Sequence, residues 1–145
     1  MINSFTGVYA FLSNFYPCEI EKDGIKFPTV EHYFQACKTL DLNKCAEIAA
    51  AATPGEAKRL GRRVKLREDW EEVKDAVMEE GLRKKFKNPR LKAALLSTGD
   101  AYLIEGNTWH DNYWGACRCA RCRNRQGQNH LGELLMKIRD EDKGR

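Results

Sequence analysis

The sequence lacks any long hydrophobic run, and this absence excludes a membrane-spanning helix. None of its apolar stretches approaches the roughly 20 residues that a helix needs to cross a bilayer. Residues 1–12 have neither the basic start nor the long apolar segment of a secretory signal. We therefore expect a cytoplasmic protein that does not associate with membranes.

Internal repeats, low-complexity tracts and linkers are also absent, so nothing in the sequence marks a domain boundary. A chain of 145 residues is long enough to bury a core without disulfides or metals. The net charge of +4 does not identify a partner, because such an excess is common in proteins that bind neither phosphate nor nucleic acid. We predict a single domain spanning residues 1–145, with no obligate protein partner.

The spacing of hydrophobic and turn residues predicts an α+β fold, mainly helical with a few short strands. Asp23-Gly24, a favoured type I′ turn pair, predicts a hairpin within residues 18–27. Thr29 is a suitable N-cap for a helix that extends to about Leu40. Further strands are expected at 8–12 and 102–105. Further helices are expected at 43–52, 54–61, 69–87, 89–96 and after Asn129.

The segment from Gly106 to Gln126 has almost no hydrophobic periodicity, yet it contains two tryptophans, three cysteines and a histidine. Irregular segments of this length in compact domains are usually either functional or disordered. The tryptophans argue against disorder. We therefore expect the functional site in this segment.

A polar stripe lies on the helix that follows Thr29. The helical step of about 100° a residue places Glu31, Gln35 and Lys38 on one side. Such a stripe is most often the solvated edge of an amphipathic helix. Alternatively, Glu31 is functional, since the dipole in the first turn of a helix favours an ionised carboxylate. An ionised carboxylate can activate water or stabilise a developing cation.

Asp111 lies between Trp109 and Trp114 and has two interpretations. In the first, the tryptophans are core anchors and Asp111 caps a turn. Alternatively, the rings stack on a base and Asp111 is a second carboxylate. Cleavage of an N-glycoside passes through a cation-like transition state, which one carboxylate stabilises while another group assists the leaving base. With 21 acidic residues in the chain, two acids from distant segments are only suggestive.

Six cysteines are present, and we expect them to be reduced in a protein without an export signal. Cys117, Cys119 and Cys122 have a spacing that can reach one tetrahedral zinc ion. The alternative is a set of reduced loop cysteines, although three crowded thiols would oxidise readily. A fourth zinc ligand is available from three positions: His110, Cys18 or His130.

The glycine-flanked stretch from Gly127 to Gly132 leads into the last predicted helix. Glycines beside a helix N-terminus allow a phosphate to approach the backbone amides. A simple cap with a glycine turn is the alternative. The stretch lacks the glycine spacing of the dinucleotide-binding fingerprint.

These residues together resemble the NADAR family (NAD- and ADP-ribose-associated, also called YbiA-like). The resemblance runs in order along nearly the whole chain, and the combination is more specific than any single piece. Its main segments are Phe-Leu-Ser-Asn-Phe-Tyr at 11–16, Phe-Pro-Thr-Val-Glu-His-Tyr-Phe-Gln-Ala at 27–36, Gly61-Arg62, Trp114-Gly115, Leu131-Gly132 and Leu-Met-Lys-Ile-Arg at 135–139.

The resemblance implies a mainly helical α+β domain that hydrolyses N-glycosidic bonds. One branch of the family acts on phosphoribosylamino-pyrimidine intermediates of riboflavin synthesis, and another removes ADP-ribose from guanine bases. Glu31 becomes the leading catalytic acid/base, with Asp111 as the second catalytic residue. The implied substrate-binding residues are Asn14, Gln35, Lys38, Trp109, Trp114 and Asn129. The longer loop between Gly115 and Gly127 departs from the family pattern and leaves substrate preference open.

Three functions are therefore compared. The first is a hydrolase of ribosylated nucleobases or ADP-ribosylated nucleic acid, which needs no cofactor for catalysis. The second is a non-catalytic module that binds ADP-ribose or NAD, and the third is a zinc-stabilised nucleic-acid adaptor. Two carboxylates favour the enzyme, because the binding of an anionic ligand gains nothing from them.

Overall fold

The computed structural model describes residues 1–144, which form seven helices and two small two-stranded sheets. The expected mainly helical α+β class is thereby confirmed. Internal contacts divide the chain into two compact units. We call Asn14–Asn88 the helical unit, and Met1–Ser13 with the chain from Pro89 onwards the loop unit. Each helix within residues 1–144 is too short or too polar to span a bilayer.

The helical unit opens with the predicted hairpin, in which β1 (Ile20–Lys22) pairs antiparallel with β2 (Ile25–Phe27). Asp23 and Gly24 form the turn with φ angles of 54° and 81°. Both residues therefore adopt the left-handed conformation that a type I′ turn requires. The Asp-Gly pair correctly predicted the position and the type of this turn.

Four helices complete the helical unit: α1 (Val30–Ala36), α2 (Leu42–Ala49), α3 (Pro54–Gly61) and α4 (Trp70–Lys85). The Thr29 hydroxyl caps α1 by accepting the backbone N–H of His32 at 3.1 Å. The helix ends at Ala36 rather than near Leu40, because the N–H groups of Lys38 and Thr39 bond three residues back and tighten the chain into a turn.

Helix α1 lies at the centre of the helical unit, in contact with α2, α3 and α4. All seven of its side chains are buried. Tyr33 packs edge-on against Phe27 with ring centroids 5.4 Å apart, and Phe34 packs against Trp70 at 5.1 Å. A helix surrounded in this way has no solvated edge, so its polar residues are held inside the unit.

The loop unit contains a 3-10 helix (Gly7–Leu12), α5 (Pro89–Ser97) and α6 (His130–Lys143). The strand predicted at 8–12 is wrong. Gly7 has a left-handed φ of 58°, and the turns after it form i to i−3 hydrogen bonds that a strand does not contain. Leu12 is the one buried side chain of this helix, so the apolar run serves as a surface helix.

Pairing in the rest of the loop unit is sparse. The strand predicted at 102–105 is reduced to one bridge, in which Leu103 pairs with Ile2. Instead, β3 (Gly106–Asn107) pairs in parallel with β4 (Ala116–Cys117). These two short strands close the irregular segment that the sequence marks as functional.

Candidate active-site residues and a candidate metal centre

Glu31 and Gln35 on α1 are buried, with 9% and 3% of their surface exposed. The Gln35 Nε2 donates to the Glu31 Oε2 at 2.7 Å. The backbone N–H of Glu31 donates to the carbonyl of Asn14 at 3.1 Å. The structure therefore excludes the solvated-edge interpretation of this stripe and brings three predicted site residues together.

Two buried acceptor atoms lie among these residues. The Asn14 Oδ1 and the Gln35 Oε1 have no hydrogen-bond partner within the part of the chain that the structure describes. Buried polar atoms in proteins are almost always hydrogen-bonded. The two acceptors are therefore suited to donors such as the hydroxyl groups of a sugar.

Gly61, the last residue of α3, allows that helix to approach Gln35 closely. A β-carbon at this position would overlap the Gln35 side chain. In the sequence, Gly61 is recognisable only as the end of a helix and as part of the family pattern. Its role in placing Gln35 depends on how α1 and α3 pack, and sequence spacing does not reveal that.

Lys38 interacts electrostatically with the Glu31 carboxylate and with two other cations. Burial lowers the pKa of the Lys38 ammonium below its usual value, and the nearby Glu31 partly opposes this effect. The cationic Arg62 and Lys58 add to the lowering of the pKa of Lys38. A group of neighbouring cations of this kind is suited to a ligand that carries phosphate.

Asn107 organises the predicted site in the loop unit. This buried side chain accepts the backbone N–H groups of Trp109 and Asp111 through its Oδ1, each at 3.2 Å. Its Nδ2 donates to the Asp111 carbonyl at 2.8 Å and to the Glu105 carboxylate at 3.0 Å. Asn107 is not among the residues predicted from the sequence. The available signal is its position two residues before Trp109.

Asp111 caps a turn in the way that one interpretation predicted. Its Oδ1 accepts the backbone N–H of Tyr113 at 3.1 Å and that of Trp114 at 2.9 Å. The side chain is half-buried. These bonds fix the orientation of the carboxylate, and its catalytic role stays a prediction.

The two tryptophans of this segment differ in environment. Trp109 is 57% exposed. Trp114 packs edge-on against Tyr113 with ring centroids 4.8 Å apart, and its ring lies 6.2 Å from that of His130. Trp109 is therefore the better candidate for stacking on a base, whereas Trp114 belongs to an aromatic cluster.

Asn129 is buried with a left-handed φ of 53°, directly before α6. Its Nδ2 donates to the Leu103 carbonyl at 2.8 Å, and its Oδ1 accepts the Glu105 N–H at 3.0 Å. Both ends of the amide therefore bind the backbone. This geometry favours a positioning role over the direct substrate contact that the resemblance implies, which remains a prediction.

The amides at the start of α6 are bonded within the protein. The N–H groups of residues 128–131 donate to the carbonyls of residues 112–115 at 2.8–3.1 Å. Amides engaged in this way do not point at a ligand. The geometry therefore does not favour a phosphate site at the glycine-flanked stretch, and the expected side-chain cap is wrong, because Asn129 makes no capping hydrogen bond to α6.

His110, Cys117, Cys119 and Cys122, which we call the metal cluster, have ligand atoms that all lie within 4.8 Å of one another. The His110 Nδ1 is 3.3 Å from the Cys119 Sγ, 3.5 Å from the Cys122 Sγ and 3.9 Å from the Cys117 Sγ. Tetrahedral zinc bonds would separate nitrogen and sulfur ligands by about 3.6 Å. Of the three candidate fourth ligands, His110 therefore joins the three thiols.

Comparison with known proteins gives one family. The sequence profile of the NADAR domain matches residues 4–141. N-glycosidase YbiA of Shigella boydii is 45% identical over 92% of this chain and 81% of its own length. Riboflavin biosynthesis protein VVA0006 of Vibrio vulnificus is 37% identical over 92% of this chain and 35% of its own length.

The solution structure of Escherichia coli YbiA is similar to this one, with a TM-score of 0.81 and 40% sequence identity. The match covers 99% of this chain and 85% of that protein. The similarity in fold and the similarity in sequence therefore point to the same relatives. Both matches include residues of the helical unit and of the loop unit.

Proposed function

The chain belongs to the NADAR domain family, and from this premise we propose that it is an N-glycosidase that cleaves the bond between a ribose and a nucleobase-like nitrogen. The observation that carries the proposal is the buried, hydrogen-bonded Glu31–Gln35 pair. A module that only binds an anionic ligand gains nothing from a buried carboxylate. Because the NADAR match includes residues of both units, we also propose that they act as one domain.

Glu31 is the catalytic acid/base in this proposal. Water attacks the anomeric carbon of the ribose, the carbon–nitrogen bond breaks, and the base leaves with a proton. Glu31 takes the proton from the attacking water and then gives it to the nitrogen of the leaving base, and the amide of Gln35 orients the Glu31 carboxylate. Asp111 is the second carboxylate and stabilises positive charge on the ribose ring in the transition state.

Substrate recognition in this proposal uses side chains from each of the two units. Asn14 and Gln35 present buried acceptors to the ribose hydroxyls, and Lys38 neutralises a phosphate group. Trp109 stacks on the leaving base. Trp114 and Asn129 contribute to substrate binding mainly by fixing the conformation of the loop.

Bond cleavage in this proposal requires no cofactor. The metal cluster holds a structural zinc ion instead. With three thiolates and one imidazole as ligands, all four positions of tetrahedral zinc are taken. No position is left at which the metal could activate water.

Two ribosylated substrates test the proposal: ADP-ribosylated DNA and a phosphoribosylamino-pyrimidine of riboflavin synthesis. Each is incubated with the protein, and released base and sugar phosphate are identified by mass spectrometry. We expect hydrolysis of at least one substrate by the wild type and none by Glu31→Gln. Binding of ADP-ribose without release of either product would instead support the non-catalytic module.

A further inference from the structure

Residues of the metal cluster lie on both sides of Asp111 in the loop. His110 immediately precedes Asp111, and Cys117 follows Trp114 in β4. Cys117 and Cys122 are buried, whereas Cys119 is half-buried. A metal bound here would link the start of the Asp111 turn to the strand that closes the loop.

The backbone at His110 is strained in a way that the cluster explains. His110 has a left-handed φ of 70°, which is uncommon for a residue other than glycine. Such conformations cost energy and persist where the surrounding structure holds them. Here the conformation turns the imidazole towards the three thiols, and the His110 N–H donates to the Cys117 Sγ at 3.3 Å.

The charge around the cluster also suits a metal. Three thiolates, one neutral imidazole and a Zn²⁺ ion carry a net charge of −1. The same segment supplies positive charge from four arginines at positions 118, 121, 123 and 125. These cations can stabilise thiolates, which are the form that binds metal.

The other side of the loop is already fixed by hydrogen bonds. The Arg118 N–H donates to the Asn107 carbonyl at 2.8 Å, and the Cys117 N–H donates to the Asn112 Oδ1 at 2.9 Å. The carbonyls of 112–115 bind the start of α6. Residues 108–111, by contrast, have no helical or strand pairing. The Asn107 side chain holds the backbone of Trp109 and Asp111. His110 lies between these two residues, with its ring beside the thiols of the metal cluster.

We infer that a zinc ion in the metal cluster is a clamp that fixes the position of Asp111. Loss of the metal then lowers turnover although the metal takes no part in bond cleavage. His110 and the three cysteines are positioning residues in this sense. The inference rests on the proposed N-glycosidase activity and extends it.

Removal and return of zinc in the wild-type protein is the first test. Elemental analysis of the purified protein should give about one zinc per chain. Chelation should lower kcat by about 10- to 100-fold, the range found when support around a functional site is lost. Zinc chloride should restore it. Hydrogen exchange should accelerate at the amides of Trp109, Asp111 and Cys117 on chelation and slow again with zinc.

Three cysteine variants refine the test. Cys119→Ser should lose zinc and reproduce the kcat and exchange changes, and Cys119 is chosen because it is the least buried of the three thiols. Cys119→His supplies another zinc ligand and should retain metal and most of the activity. Cys45→Ser removes a thiol of α2, outside the cluster, and should change neither the metal content nor the activity.

Three outcomes overturn the clamp. They are a metal-free wild-type protein, zinc that can be removed without a change in the exchange of residues 109–117, and turnover that does not depend on zinc. If no ribosylated substrate is hydrolysed, the proposed function fails, but metal content and exchange still decide the clamp. If turnover is normal and independent of zinc, the glycosidase proposal stands and the clamp does not.

Discussion

Helix α1 and the loop from Gly106 to Cys117 hold their candidate functional residues by different means. In α1, the polar side chains lie on a regular helix that three other helices surround. In the loop, the backbone N–H groups of residues 109–111 bond to side chains, two of them to Asn107. The helix is positioned by packing, and the loop is positioned by specific hydrogen bonds and, in our proposal, by a metal ion in the metal cluster.

This difference indicates how strongly the loss of a polar contact should destabilise each region. A packed helix tolerates the loss of one polar contact, because burial of its apolar residues keeps it in place. A loop without a hydrophobic stripe depends on a few polar contacts, and each unsatisfied buried group costs about 1–3 kcal/mol. Substitutions in α1 should therefore report on chemistry, whereas substitutions in the loop should report on structure as well.

The largest effect is expected from Glu31→Gln. The change keeps the size of the side chain and its capacity to bond with Gln35, but it removes the charge that activates water in the proposed mechanism. We expect kcat to fall by about 10²- to 10⁴-fold, the usual contribution of a general acid or base. The melting temperature should stay near the wild-type value. Steady-state kinetics and thermal unfolding measure the two effects.

Glu47→Gln is the matched control, because Glu47 on α2 is exposed and pairs with Lys44 at 3.4 Å. It should leave both kcat and stability nearly unchanged. A folded Glu31→Gln protein with near wild-type kcat would exclude the catalytic role of Glu31. It would also remove the main contrast between α1 and the loop.

The sequence predicts α1 and the loop unequally well. Thr29, Pro54 and the Asp23-Gly24 pair act locally, through capping and turn geometry, so the hairpin turn and the starts of the two helices are found correctly. The burial of Glu31 is not local, because it depends on the helices packed around α1. The same limit explains why a strand was expected at residues 8–12, where an apolar run of that length fits either a strand or a short helix.

The loop shows which functional residues can be predicted from the sequence and which cannot. Asp111 and the cysteines are recognised because their residue types suggest chemistry at short spacing. Asn107 is not recognised, because its importance lies in four hydrogen bonds made after the chain has folded back. Residue type and spacing therefore find ligands and acids more readily than they find the side chains that hold them.

The second largest effect is expected from the two loop tryptophans, which separate stability from binding. Trp114→Ala removes a ring from the cluster with Tyr113 and His130, so we expect a loss of about 3 kcal/mol in unfolding free energy. Trp109→Ala should unfold like the wild type but lose about 1–3 kcal/mol of ligand binding, or about 5- to 150-fold in affinity. Denaturant unfolding and calorimetric titration with ADP-ribose measure these changes. Early unfolding of both variants with normal binding would show that neither ring stacks on a base.

A smaller effect is expected from Gly61→Ala on α3. The new methyl group would overlap the Gln35 side chain, so Gln35 must shift away from Glu31. Overpacking of this kind costs about 1–3 kcal/mol of stability, and kcat should fall with it. Gly55→Ala is the matched control on the same helix, since its new β-carbon meets only the Thr53 Oγ1 at 3.9 Å. Equal stability of the two variants would mean that Gly61 does not position Gln35.

The smallest effect is expected from a pair of capping aspartates, one in each unit. Asp41 accepts the N–H groups of Asn43 and Lys44 at 2.9 and 3.3 Å, much as Asp111 accepts those of Tyr113 and Trp114. Asparagine caps about as well as aspartate, so Asp41→Asn and Asp111→Asn should each change stability by only a few tenths of a kcal/mol.

Activity then distinguishes the two aspartates. A charge near a developing cation is worth at least about 1 kcal/mol even at the dielectric constant of water, so Asp111→Asn should lower kcat about fivefold or more. Asp41→Asn should leave kcat unchanged. If Asp111→Asn keeps both its stability and its full kcat, Asp111 is a turn residue like Asp41. The contrast would then be complete, with Glu31 on α1 as the carboxylate that acts and the loop as structure alone.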